Sequence, residues 1–242
     1  MAVDYKFKDK YNIEDLLEIM KILRAPGGCP WDAEQNHESI KKNFIEETYE
    51  VVEAINKKDT ELLKEELGDV MLQVVFHAAM EEEKGVFDFS DVADGICKKL
   101  IERHPHVFGD ISVENTDEVL TNWDAIKRNS KKQKTTTQAM DSIPRELPAL
   151  MRAEKLQSKA AKAGVDLKED SAAYISQKAS ALSAGVNEKN LGELLFAVVA
   201  AARQNGIDPE DALTKISDEF LSDFGKYEKS TDEEKSSAVL YN

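Results

Sequence analysis

Two clusters of carboxylates carry the strongest chemical signal in the chain. Glu46-Glu47-Thr48-Tyr49-Glu50 is followed, after fifteen residues, by Glu66-Leu67-Gly68-Asp69. Each cluster holds an i,i+3 pair, Glu47/Glu50 and Glu66/Asp69, and residues three apart share one face of a helix. On the first predicted helix Phe44, Ile45, Tyr49, Val51, Val52 and Ile55 form a broad apolar face, and Glu46, Glu47, Glu50 and Glu53 the opposite arc. Alone, that pattern describes an amphipathic helix with a solvated acidic face. The second helix argues otherwise. From Leu67 to Met80 it is apolar almost all round, which predicts burial, and Glu66, Asp69 and Gln73 interrupt it on one stripe. Buried carboxylates are rare unless paired or metal-bound. An antiparallel pair turning between Asn56 and Thr60 would bring the clusters together, and a divalent cation would relieve their repulsion. Oxygen ligands without His or Cys favour Mg²⁺, with Mn²⁺ as a substitute, over zinc. A di-iron bundle calls for two Glu-x-x-His repeats; the chain offers Glu34-Gln35-Asn36-His37, outside the acidic pair.

Basic residues follow. Lys99 and Arg103 are i,i+4 on the next predicted helix. They either form salt bridges with neighbouring acids or hold phosphate oxygens beside the cation. Trp31 either stacks on a base or anchors its loop by packing. Asp32 is a candidate N-cap for the next helix, His77 a satisfied core histidine, and Trp123 a core residue. His104 and His106 flank Pro105 and shape the turn there.

The elements that must position these residues are helices. Glycine and proline are scarce, at 11 and 6 of 242 residues, and β-branched alternation is almost absent. Helices are predicted at about 12–24, 36–57, 59–84, 89–104 and 116–130, then at 148–163, 169–184, 188–205 and 209–227. Pro26-Gly27-Gly28 ends the first and Pro105 the fourth, which Ser90 and Asp91 can cap at its start. The polar stretch from Arg128 to Gln138, with Pro144 and Pro148 beyond, reads as a boundary. The predicted division is therefore a domain at 1–128, a linker at 129–147, a second domain at 148–230 and a frayed tail at 231–242.

Composition narrows the function further. The net charge of −15 and pI near 4.8 argue against nucleic-acid polymers and anionic membranes as partners. No apolar run reaches the roughly 20 residues of a membrane span, and the N-terminus lacks a signal-peptide core. Two isolated cysteines, Cys29 and Cys97, fit a reducing cytoplasm.

The second helical series resembles the first. Leu67-Gly68-Asp69-Val70-Met71-Leu72 aligns with Leu191-Gly192-Glu193-Leu194-Leu195-Phe196, and Ile96–His104 with Ile216–Phe224. This pattern is that of a duplicated helical unit. In the second copy Glu66 becomes Asn190, Asp69 becomes Glu193, Lys99 becomes Glu219 and Arg103 becomes Asp223. No Glu-Glu-x-x-Glu precedes them; that helix reads Tyr174-Ile175-Ser176-Gln177-Lys178-Ala179-Ser180. Acids and bases are lost together while the packing residues stay, as expected of groups that served one site.

The motifs, in order, resemble those of the MazG family of nucleoside triphosphate pyrophosphohydrolases. They are Gly28-Cys29-Pro30-Trp31-Asp32 with Glu34-Gln35, the two acidic clusters, Phe87-Asp88-Phe89, and Arg103-His104-Pro105-His106-Val107-Phe108. Arg152-Ala153-Glu154-Lys155-Leu156-Gln157 is similar to the opening of the family's second domain. The resemblance implies an all-α fold of two tandem helical-bundle domains, usually dimeric. It also implies Mg²⁺-dependent hydrolysis of NTPs or dNTPs between the α and β phosphates, giving a monophosphate and pyrophosphate. By it, Glu47, Glu50, Glu66 and Asp69 are metal ligands, and Glu46 positions or activates water. Lys99 and Arg103 would neutralise the β and γ phosphates. The missing second motif assigns catalysis to the N-terminal copy. Two competing readings are a helical interaction protein with an acidic face, needing no metal, and a nucleotide-binding regulator without turnover.

Overall fold

The computed structural model describes residues 5–130, 135–165 and 171–239. Those residues form helices and no strand, in two compact units, Met1–Trp123 and Asp124–Asn242. The division falls inside a helix, α7 (Thr116–Ser130), a few residues before the polar stretch predicted to be the boundary. That stretch is also not a plain linker. It contains a short helix, α8 (Thr136–Asp141), boxed by Thr135 and Gln138, with Ala139 and Ile143 buried. Two apolar side chains in the right register outweigh the polar composition around them.

The first unit opens with α1 (Ile13–Arg24), α2 (Pro30–Glu34), α3 (His37–Lys57) and α4 (Thr60–Glu82). It continues through α5 (Phe89–Arg103) and α6 (Pro105–Phe108). Capping sets the starts. Asn12 closes a capping box with Asp15, Asn36 with Ser39, and Asp88 with Asp91. The cap of α5 is thus Asp88, one turn before the expected Ser90–Asp91, with Asp91 as its reciprocal partner. Asp32 lies inside α2, and Asn36 performs the capping role that Asp32 was expected to fill.

α3 and α4 form the most extensive helix pair of this unit. Only Lys58 and Asp59 separate them. Lys58 adopts a left-handed conformation, φ 57° and ψ 33°, and its N–H closes on Ala54 and Ile55. Asp59 then accepts hydrogen bonds from the N–H groups of Glu61 and Leu62, both at 3.1 Å. This two-residue reversal sets the register of α4 against α3, and so the register of the acidic clusters.

The core lies at the other end of the pair. Met20 of α1, Ile40 of α3 and Val75, Phe76, Ala79 and Met80 of α4 form one buried cluster, flanked by Ile13, Leu16, Leu17, Leu72 and Phe89. The α4 face is therefore not buried along its whole predicted length. Leu67 and Met71 are half exposed, as are Ile45, Tyr49, Val52 and Ile55 of α3. The α1 packing that covers the C-terminal half of α4 does not extend to these positions. Gly28 closes the turn after α1, where any Cβ would overlap the carbonyl oxygens of Ile22 and Leu23.

The second unit comprises α8, α9 (Ala149–Lys162), α10 (Ser171–Ala184), α11 (Glu188–Gln204) and α12 (Pro209–Val239). Here α10 and α11 pair most extensively, and α9 packs on α11. Its core includes Gln157, Ala197, Val199 and Ala200. The α12 backbone remains helical to Val239, beyond the predicted end at 227 and through most of the tail expected to fray. No helix among the described residues is long and apolar enough to cross a membrane.

The α3–α4 reversal generates a stability test. Asp59→Ala removes the cap of α4 and should cost about 1 kcal/mol. Lys58→Gly removes the left-handed penalty on a side-chain-bearing residue and should gain a few tenths to about 1 kcal/mol. Chemical denaturation of the two variants beside the parent chain measures both signs.

Candidate metal and active site

The α3–α4 reversal brings the acidic clusters together. One carboxylate oxygen each from Glu47, Glu66 and Asp69 lies within 4.8 Å of the other two. Oxygens that share one divalent cation at roughly 2.0–2.6 Å stand at most about 5 Å apart, so this spacing fits a single ion. Glu66 is 7% exposed, Glu47 and Asp69 are half-buried, and Glu50 and Glu46 are exposed. Glu50 lies beside Glu66 and acts on it electrostatically. Glu46 is near enough to act on Glu47. Among the described residues no Lys or Arg pairs with Glu47, Glu50, Glu66 or Asp69.

The electrostatics record that lack of compensation. Burial pushes the Glu47 carboxyl above its ordinary value, and Asp69, Glu50 and Glu46 push it further. Gln73 opposes them from one turn beyond Asp69, where its amide favours the charged form of Glu47. Burial likewise raises Glu66, reinforced by Glu50 and then by Asp69 and Glu65. Gln73 is itself buried, and its Oε1 has no hydrogen-bond partner. An all-carboxylate donor set, partly desolvated and without a neighbouring cation, fits a hard divalent ion.

The other candidate residues are distributed around this cluster in sequence but do not all meet it. Lys99 is exposed on α5, and Arg103 is half-buried near its end. Neither forms an ion pair among the described residues, and Arg103 Nε is buried without a partner. The salt-bridge reading of this pair is therefore not realised among the described residues. Lys98, one residue away, does form such a bridge, to Asp94 at 2.6 Å.

Trp31 is 58% exposed and its ring makes no aromatic or cation–π contact among the described residues. Arg24 secures this segment. Its side chain is 6% exposed and forks onto Glu83 at 2.6 and 2.9 Å. It donates to the carbonyls of Asp32 and Gln35 and lies over the Phe76 ring. The short helix α2, which carries Trp31, is thus tied to α1 and to the end of α4, with Trp31 58% exposed.

Beyond Gln73 the polar stripe of α4 continues to His77 and Glu81. His77 is half-buried, with its Nδ1 2.7 Å from Nδ1 of His37, and His37 Nε2 is 2.6 Å from Glu81. The two rings stack with centroids 5.0 Å apart, and burial followed by His37 lowers the His77 pKa. His77 is the satisfied histidine expected, but its partner His37 was not foreseen, because forty residues separate them. Gln73, expected on the Glu66–Asp69 stripe but given no role there, lies beside Glu47 and favours its charged form. Trp123 is half-buried rather than core, edge-on to His104 at 4.8 Å.

The second unit shows the same positions without the cluster. Asn190, aligned with Glu66, donates to the carbonyls of Ala181 and Gly185 at 3.0 and 2.7 Å. Glu193, aligned with Asp69, pairs with Lys178 at 2.7 Å. Lys178 lowers the Glu193 pKa, the reverse of the shift at Glu47 and Glu66. Charge pairing and a turn-closing amide replace carboxylate repulsion there.

Comparison with known proteins agrees with this geometry. Residues 35–108 match the family model of the MazG nucleotide pyrophosphohydrolase domain. A nucleoside triphosphate pyrophosphohydrolase of Escherichia coli (strain K12) is 44% identical over 230 residues, covering 90% of this chain and 87% of the relative. The chain belongs to the MazG family. A second relative, the nucleoside triphosphate pyrophosphohydrolase/pyrophosphatase MazG of Thermotoga maritima, is 40% identical over 222 residues, 89% of this chain and 85% of its own. A third, from Mycolicibacterium smegmatis, is 37% identical over 207 residues, 81% and 63% respectively. The matched MazG segment spans α3 to α6 and so contains both acidic clusters, Lys99 and Arg103. Trp31 lies before it.

The raised carboxyls of this MazG site have a measurable consequence without metal. A carboxyl whose folded pKa lies above its unfolded value retains protons that the unfolded chain releases. Stability then falls as pH rises from the ordinary carboxylate value through the raised one. In EDTA the Glu66→Gln variant should melt above the parent, by more at pH 7.5 than at pH 5.5. Saturating Mg²⁺ should raise the melting temperature of the parent more than that of the variant. Thermal melts of both proteins at the two pH values supply the comparison.

Proposed function

We infer that this MazG-family chain is a nucleoside triphosphate pyrophosphohydrolase acting from its first unit, and that it cleaves NTPs or dNTPs between the α and β phosphates. The observation that carries the reading is the convergence of Glu47, Glu66 and Asp69, with no basic side chain paired to them among the described residues. Those three carboxylates, with Glu50 beside Glu66, are the groups that would hold Mg²⁺, or Mn²⁺ in its place. When bound, the cation supplies Lewis-acid polarisation of phosphoryl oxygens and relieves the repulsion among its ligands.

The chain's own residues divide the remaining work. Glu46, exposed and one residue before Glu47, takes the proton of the attacking water. The water oxygen bonds to the α-phosphorus, the α–β bridging bond breaks, and pyrophosphate leaves with the bridging oxygen. Lys99 and Arg103, without ion pairs among the described residues, receive the β and γ phosphates and stabilise the charge that develops there. Trp31, exposed on the Arg24-braced helix α2, offers an aromatic face to the base. Gln73 and the His77–His37–Glu81 ladder hold the buried side of α4 in register. The second unit, with Glu193 neutralised by Lys178, takes no part in this chemistry.

We further propose that two copies associate through the exposed apolar faces of the first unit. Ile45, Tyr49, Val52 and Ile55 of α3, Leu67 and Met71 of α4, and Ile96, Leu100 and Ile101 of α5 are about half exposed each. So many large apolar side chains on successive helices exceed scattered surface hydrophobicity, and a two-fold pairing would bury them. Unpaired thiols at Cys29 and Cys97 accord with a cytoplasmic setting.

Two measurements test these readings. Pyrophosphate release from the eight common NTPs and dNTPs should require Mg²⁺ and stop in EDTA. Asp69→Ala should reduce it by roughly 10²–10³-fold, with an unchanged helical circular-dichroism spectrum. Activity retained in that variant would remove Asp69 from the site, and nucleotide binding without products would identify a regulator. Separately, light scattering during size-exclusion chromatography should give the mass of two chains for the parent and of one for Ile55→Glu. A parent that elutes as one chain at micromolar concentration would refute the pairing.

A further inference from the structure

Four polar or charged side chains are buried among the described residues: Asp15, Glu66, Gln73 and Gln157. Three of them have evident tasks. Asp15 closes the capping box of α1. Gln157 donates to the Phe196 carbonyl at 2.8 Å and ties α9 to α11. Glu66 belongs to the carboxylate cluster. Gln73 is the exception. Its Oε1 is buried without a partner, and it binds no backbone group among the described residues. Its amide lies beside the Glu47 carboxylate. A buried amide oxygen without a donor opposes folding. The pairing of two helices does not call for it. At the aligned position of α11 stands Ala197, fully buried in a pair without the cluster.

The helix places this amide where the cluster can use it. Glu66, Asp69 and Gln73 stand at i, i+3 and i+7 on one stripe of α4, and Glu47 meets that stripe from α3. One oxygen of Glu47 gathers with oxygens of Glu66 and Asp69. A carboxylate has a second oxygen. Unless something holds that oxygen, the group is free to turn. An amide N–H can hold it and bring no charge. A Lys or Arg in its place would bind the carboxylate as well, but would repel a cation from the ligands. The orphaned Oε1 follows from this choice. Turning the amide over would set its oxygen against the carboxylate.

We propose that Gln73 is a positioning residue for the divalent cation, its Nε2 donating to one oxygen of Glu47 and thereby fixing the other toward the ion. The proposal rests on the reading of Glu47, Glu66 and Asp69 as ligands. Gln73 acts through Glu47 and touches neither the ion nor the nucleotide. Partners of this kind orient metal ligands, and their loss typically costs about 10–100-fold in metal affinity.

Gln73→Met keeps the length of the side chain and removes the amide. Calorimetric titration of Mg²⁺ into the full chain without nucleotide should show affinity lower than the parent's by about tenfold or more. In pyrophosphate release, the Mg²⁺ concentration giving half the maximal rate should rise by the same factor, while the nucleotide KM at saturating Mg²⁺ stays where it was. The melting temperature in EDTA should be no lower than the parent's, because the unpaired Oε1 leaves with the amide. Gln73→Asn keeps an amide but draws it back by one methylene, and should bind Mg²⁺ as weakly as Gln73→Met. Parent-like Mg²⁺ affinity in Gln73→Met would overturn the proposal. So would a Gln73→Met chain that unfolds or melts well below the parent in EDTA, since the residue would then serve packing. A parent that takes up no Mg²⁺, or a Glu66→Gln variant that binds it as the parent does, would overturn the ligand reading and the proposal with it.

Discussion

The uncompensated repulsion among Glu47, Glu50, Glu66 and Asp69 is the constraint around which the first unit is arranged. Like charges this close, one of them almost fully withdrawn from water, favour separation of the helices that carry them. The pairing of α3 with α4 must therefore be secured elsewhere. It is secured at one end by the two-residue reversal at Lys58–Asp59, and at the other by the Met20, Ile40, Val75, Phe76 and Met80 core. The clusters sit between these clamps. A site that tolerates its own repulsion in this way is preorganised for a cation, because the cost of gathering the ligands has been met by packing that the cation does not touch.

The second unit contains a helix pair free of that constraint. Its α11 buries the small residues Ala197, Val199 and Ala200. The Lys178–Glu193 bridge and the Asn190 amide stabilise the α10–α11 pair through local contacts. The Glu193 carboxylate has a basic partner in Lys178, whereas Glu66 and Asp69 have none among the described residues. One helix pair is thus drawn together by its charges, and the other is held together against them.

Much of the fold and the core of the site were legible because both rest on local periodicity. The i,i+3 carboxylate pairs, the turn between them and the apolar length of α4 are patterns within single helices, and helices begin within one or two residues of their predicted starts. What was not legible depends on contacts distant in sequence. His37 meets His77 across forty residues, and Arg24 ties α2, with Trp31, to Glu83 of the α4 end. Partial burial was misjudged for a related reason. Periodicity shows which face of α3 is apolar, but not whether this chain or another covers it, and Ile45, Tyr49 and Ile55 stand half exposed. The helix within the polar stretch was hidden because two side chains, Ala139 and Ile143, decide it against the composition of their neighbours.

Charge segregation links these observations. The chain gathers carboxylates without a basic partner among the described residues at the α3–α4 pair, although its helices otherwise carry ordinary i,i+3 and i,i+4 bridges such as Glu53–Lys57, Asp94–Lys98 and Asp211–Lys215. Exposed pairs of that kind contribute little stability, up to about 1 kcal/mol each, yet they are the default wherever opposite charges fall a turn apart. Groups of one sign left without them lose even that small return and incur mutual repulsion. A helical chain with 79 charged side chains has ample partners available, so leaving them unused at the carboxylate cluster is a cost that folding alone does not require, and one that a bound cation would offset.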